Sequence, residues 1–166
     1  EQKKQKENLA SLAANMFTFK MRKSAPDSKQ DLGNLKESDV VGYFGKPGSS
    51  EEETLDFSGS YVDKIRTVAY HYDGLTFNFV HYELKGKWSY GACNISVTGT
   101  KYGIKFGLNI GATKDKVISV LGDAEETKPD LLKYGSNKVD ANFAFRFTNG
   151  KLETIDRAQK FSVSLE

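Results

Sequence analysis

Phe143, Phe145 and Phe147 alternate with Ala144 and Arg146. This period of two marks a strand buried on one face. Asn149-Gly150, a strong hairpin signal, follows, and Lys151 to Val163 supplies the last strand or two. The middle of the chain repeats the pattern. Ile65 to Tyr72 runs into Asp73-Gly74, and Leu75, Phe77 and Phe79 then alternate with Thr76, Asn78 and Val80. Gly86 marks a turn, and Trp88 to Val97 carries Cys93, Ile95 and Val97 on one face. Leu131 to Tyr134 reads as a short strand.

Helical spacing appears in three places. Leu9, Leu12, Ala13 and Met16 share one face of a helix over roughly residues 5–17. Phe17, Phe19 and Met21 then alternate, which suits either an extended segment or more helix. Residues 22–33 read as a loop. Asn34 followed by Glu37 resembles a capping box for a short helix with Val40, Val41 and Phe44 inward, ended by Gly45 and Pro47. Residues 48–60, acidic and Ser/Gly-rich, read as a surface loop, and 98–107, with three glycines, as a connection. Thr113 caps a third helix with Val117, Ile118 and Leu121 inward and Gly122 at its end.

Val40, Val41, Phe44 and Gly45 map onto Val117, Ile118, Leu121 and Gly122 at an offset of 77 (Gly122 against Gly45). In each case a Tyr-bearing strand and a Phe-x-Phe strand follow. The expectation is an α+β chain of two tandem repeats, each a short helix packed on an antiparallel β-sheet, plus an N-terminal helix. The divisions fall at 1–33 (N-terminal helix and loop), 34–99 (first repeat) and 100–166 (second repeat). The N-terminal helix either packs on the first repeat or serves as a tether.

Composition narrows the function classes. Charged residues make up 28% of the 166 residues and the net charge is +2, with Lys and Arg interspersed among Asp and Glu. No basic stripe suits a nucleic acid backbone. No apolar run approaches the ~18 residues of a membrane span. One cysteine, Cys93, precludes an intramolecular disulfide. The opening Glu1-Gln2-Lys3-Lys4 fits a cytosolic start without its Met, or a tether left after export, and Leu165-Glu166 fits an expression scar.

The stretch Gly107 to Gly122 (GLNIGATKDKVISVLG) resembles the Gly-x-Thr-x-x-x-Val-x-x-x-x-Gly element of the β-lactamase inhibitory protein family. Phe145 to Leu152 (FRFTNGKL) resembles that family's closing hairpin, and small outer-membrane lipoproteins of the bacterial barrel-assembly machinery carry a similar single unit. The resemblance is close over about residues 103–160 and loose over 34–97. It implies a tandem repeat whose sheets join into one concave surface, working outside the cytoplasm of a bacterium, periplasmic, outer-membrane-anchored or secreted. The chain departs from the family in lacking a disulfide in each repeat, and in carrying GNLKESDV where the first Gly-x-Thr element would stand. Inhibition of β-lactamase is therefore not carried over.

Candidate chemistry is sparse. His71 and His81, the only histidines, lack an obvious further ligand set, so no metal is expected. Cys93 shares a face with Ile95 and Val97 and reads as an inert core thiol. Glu51-Glu52-Glu53 reads as a solvated run. No phosphate loop and no Gly-x-Ser-x-Gly element occur, so neither a cofactor nor catalysis is expected. The stronger lead is the face turned away from the helices. Tyr82 falls there by alternation, as do Trp88 and Tyr90 provided no bulge forms at Gly91, and Arg146 in the second half. Tyr, Trp and Arg dominate binding hot spots, so these four are the candidate contacts for another protein. The competing reading has Tyr82, Trp88 and Tyr90 covering each other across strands or packing at the seam between halves. The function expected is a non-enzymatic, extracytoplasmic protein-binding module. Its alternative is an envelope assembly or scaffold lipoprotein, lipid-anchored upstream of residue 1 and without a soluble ligand.

Overall fold

A computed structural model describes residues 1–21, 31–57 and 61–161. The element order is α1 (Gln2–Ala14), α2 (Glu37–Phe44), β1 (Ser49–Asp56), β2 (Lys64–Tyr72), β3 (Leu75–Leu84), β4 (Lys87–Val97), α3 (Lys114–Leu121), β5 (Glu126–Lys128), β6 (Leu131–Tyr134), β7 (Ala141–Thr148) and β8 (Lys151–Gln159). Short 3-10 turns occur at Leu32–Asn34 and Lys105–Gly107. The fold is α+β. All eight strands join one antiparallel sheet in the order β1-β2-β3-β4-β8-β7-β6-β5.

Two strand meanders thus meet at their last strands. Ile95, Ser96 and Val97 of β4 stand opposite Arg157, Asp156 and Ile155 of β8. One register row crosses six strands through Tyr70, Phe77, Ile95, Arg157, Phe143 and Tyr134. This row faces the helices. Phe44 of α2 packs its ring 5.5 Å from that of Phe77, the Ala13 carbonyl of α1 accepts from Arg157, and Tyr134 reaches the end of α3. Phe77, Phe79, Phe143 and Phe145 are at most 1% exposed and sit in a single core cluster that spans both halves. Each such ring stabilises the fold by about 2–3 kcal/mol through burial.

The local chemistry explains the elements. Thr113 caps α3 by accepting from the Lys116 amide at 3.2 Å, as its spacing predicts. The cap of α2 lies two residues beyond the expected Asn34. Asp39 accepts from the Lys36 amide at 3.0 Å, so the reciprocal half of the box is the one used. Val40 is buried, but Val41 is 40% exposed rather than inward, because one turn of a short helix presents only part of its surface to the sheet. Residues 49–56 form edge strand β1 rather than loop, with every residue exposed. The three-residue strand β5 is likewise mostly exposed and carries no period in the sequence that predicts it. Chain direction after α1 is extended, with Phe17 bridging Ile104. The helix itself docks on the second half, where Asn8 donates to the Val120 carbonyl at 2.9 Å. The loop expected at 22–33 lies mostly outside the described residues, as does the expected strand continuation at residues 162 and 163.

Candidate functional site

Alternation that turns the phenylalanines inward must turn their neighbours outward. The outward register row takes one residue from every strand: Ser49, His71, Thr76, Ser96, Asp156, Ala144, Lys133 and Glu126. No described helix covers this face. Its centre consists of small and hydrogen-bonding side chains, with Asn78 opposite Asn94 and Thr76 opposite Ser96. Over the second half the small Ala144 and Ala158 leave a hollow of 520 Å³ walled by Glu126, Lys133, Asn142 and Asp156. Lys133 lies 3.4 Å from Glu126, and Arg146 lies 3.4 Å from Asp156. Towards the other end, Leu55, Ile65 and Tyr82 form an apolar row on the same face. The open face therefore grades from apolar, through amide and hydroxyl, to paired charges.

The four candidate contact residues are not gathered on it. The β3–β4 register shifts between Val80 and His81, where Ala92 and Tyr90 become their partners and Gly91 is the extra residue. This bulge reverses the parity of β4 before Gly91. Trp88 and Tyr90 consequently face the helices. The Tyr90 hydroxyl donates to the Leu35 carbonyl, and its ring meets that of His81 edge-on at 5.6 Å. His81 in turn lies 3.0 Å from Glu37 of α2. Trp88, two residues away on the same side, is 43% exposed at the sheet's end. Tyr82 and Arg146 remain on the open face, but three strand spacings and about eight residues separate them, on the order of 30 Å. Tyr82 is only 9% exposed. The expectation that Trp88 and Tyr90 share a surface with Arg146 is corrected by the bulge at Gly91.

The residues that do converge on the open face are Thr76, Asn78, Asn94, Ser96, Ala144 and Asp156. Their signal in the sequence is the small or amide-bearing residue at every second place between buried aromatics. It points to a surface more plainly than to a ligand.

Among the described residues no three His, Cys, Asp or Glu side chains converge as a metal site, and no helix is long and apolar enough to cross a membrane. Cys93 is fully buried, and desolvation pushes its thiol well above the usual range. Comparison with family models, curated proteins and solved structures finds no match to this chain.

Proposed function

We propose that this chain is a non-enzymatic binding module that takes another protein on its open sheet face. The observation carrying this reading is the outward row of eight residues, one per strand, with all described helices on the opposite side. Seven strand spacings of ~4.8 Å make a face ~34 Å wide. With ~20 Å of strand length this is on the order of 700 Å², close to the ~800 Å² per partner of a standard protein interface and beyond what a small molecule covers. The mixture of an apolar end, amides and paired charges is that of an interface rather than of a core. Binding would proceed without chemistry, since the Cys93 thiol is buried and His81 is engaged by Glu37.

The reading includes a tandem origin for the scaffold. The Ser96–Asp156 pair would lie on an approximate two-fold axis, which relates Gly45 to Gly122, Tyr72 to Tyr134, Phe77 to Phe145 and Ile95 to Ile155. Two matched hydrogen bonds support it, from Tyr72 to Gly45 and from Tyr134 to Gly122, both 2.8 Å. The likeness of Gly107–Gly122 and Phe145–Leu152 to the β-lactamase inhibitory protein family supports an extracytoplasmic bacterial setting.

Site-specific photocrosslinking tests the proposal. A photoreactive residue at Ser96 or Ala144, exposed to a bacterial envelope extract, should give one discrete protein adduct that Ala144→Arg suppresses. The same label at Glu7 or Lys116, on the helix side, should not. Adducts that form only from the helix side would sink the reading.

A further inference from the structure

Strand β1 forms one free edge of the sheet, and among the described residues it pairs with β2 alone. All eight of its residues are exposed. Just beyond its end the Phe57 amide donates to the Asp63 carbonyl at 2.8 Å. From there the β1–β2 register runs without a shift back to the pair of Ser49 and His71. Hydrogen-bonded pairs alternate along an antiparallel ladder. Leu55, Glu53 and Glu51 therefore bond inward to β2, and Thr54, Glu52 and Ser50 turn their N–H and C=O groups outward. Such an edge is a template for another strand unless something blunts it. β1 carries no proline, no lysine and no bulge. The opposite edge, β5, is three residues long and offers little backbone to pair with.

The side chains select the occupant. A second copy of β1 is disfavoured. Antiparallel self-pairing centred on Glu52 sets Glu51 against Glu53, and the registers centred one residue either side set Glu51 or Glu53 against its own counterpart. Like charges directly opposite destabilise a sheet. We propose that β1 accepts an extended basic segment of another protein as an added antiparallel strand. Glu51, Glu53 and Leu55 share the open face. They would form the non-hydrogen-bonded pairs with the incoming strand, where facing side chains come closest. His71 stands 3.4 Å from Glu51 and Arg66 stands 2.6 Å from Glu52, whereas Glu53 has no ion pair among the described residues. Leu55 is 43% exposed. The complementary pattern, read along the incoming strand, is apolar-x-basic-x-basic. Its apolar residue lies against Leu55, and its Lys or Arg residues lie against Glu53 and Glu51.

The test uses the full chain and an end-blocked synthetic peptide, Thr-Val-Thr-Lys-Thr-Lys-Thr, followed by NMR of the backbone amides. In the free chain the amides of Ser50, Glu52 and Thr54 should exchange with solvent far faster than those of Glu51, Glu53 and Leu55. The peptide should shift the first three saturably and slow their exchange. N-methylation of the two threonines that flank its first lysine, whose amides face β1, should weaken binding about tenfold or more. N-methylation of its lysines, whose amides point away, should change it less than about twofold. Glu in place of both lysines should abolish binding. In the chain, Thr54→Pro removes an outward donor where an edge strand tolerates proline, and it should weaken the peptide about tenfold. The methylated peptides keep the test intact if that variant unfolds. The proposal is overturned if the outward amides are already protected in the dilute free chain, or if their protection grows with chain concentration alone. It is overturned equally if no saturable shift occurs, if the Glu peptide binds as well, if both methylations weaken binding alike, or if a folded Thr54→Pro chain binds undiminished. Only β1 reports here, so failure leaves the crosslinking from Ser96 and Ala144 untouched.

Discussion

The Tyr134 hydroxyl donates to the Gly122 carbonyl at 2.8 Å, tying strand β6 to the residue that ends helix α3. Tyr134 is 3% exposed, so that carbonyl has no ready water to replace the phenol. Tyr72 makes the corresponding bond to Gly45 at the end of α2, also 2.8 Å, in a more exposed setting. Tyr134→Phe should therefore cost about 1–3 kcal/mol, and Tyr72→Phe about 0.5–1 kcal/mol. Urea denaturation of the two variants measures the difference. Equal losses would mean that burial does not set the worth of these bonds.

Cys93 and Tyr134 are both pushed upward by burial. A group whose folded pKa exceeds its unfolded one stabilises fully below the unfolded pKa and loses that contribution as pH rises. For Cys93 the loss begins near pH ~8.5, because the unfolded chain then releases a proton that the folded chain keeps. Stability should fall between pH ~8.5 and ~10, and Cys93→Ala should flatten that slope even if it lowers stability overall. The lowered pKa of Arg157 acts in the opposite sense from about pH 10 upward, so the comparison is made below it. Denaturation midpoints at several pH values decide. Parallel slopes would show that the thiol is not the titrating group.

Gly91 sits where the β4 ladder carries its extra residue. A Cβ there would lie 3.1 Å from the Val80 carbonyl oxygen and 3.1 Å from the Phe161 ring. The ring can swing aside, but the strand backbone yields less easily. Gly91→Ala should cost about 1–2 kcal/mol through overpacking, visible as a lower midpoint of thermal unfolding. A neutral result would show that the bulge is loose.

Arg157 carries its charge into the core, where its guanidinium donates to the Ala13 carbonyl and has no ion pair among the described residues. Arg157→Met keeps much of the volume and removes the desolvated charge, so it should raise stability by about 1 kcal/mol. Calorimetry reads this as a higher unfolding temperature. A fall of several kcal/mol would show instead that the bond to Ala13, at the end of α1, outweighs the buried charge.

The parts legible in the sequence were those set by neighbours along the chain. Phe143, Phe145 and Phe147 face inward by alternation, and Leu131–Tyr134 forms the strand expected of it. Asn149-Gly150 turns with φ of 53° and 77°, the left-handed pair that a two-residue hairpin needs. Thr113 caps its helix. Each follows from a local rule that needs no distant partner. Strand β1 was hidden because an edge strand exposed on both faces has no buried side to impose a period.

By itself, then, the sequence determined the inward phenylalanines, the tight turns, the Thr113 cap and the glycine ends of α2 and α3, because backbone sterics and solvent act on residues a few positions apart. Tertiary structure alone decided three things. It joined β4 to β8 so that one sheet carries the whole open face, it placed Arg157 beneath the end of α1, and it turned Trp88 and Tyr90 to the helix side. The reason in each case is pairing between distant segments. A register shift at Gly91 exchanges the two faces of a strand, and no pattern confined to that strand records which partner it will meet.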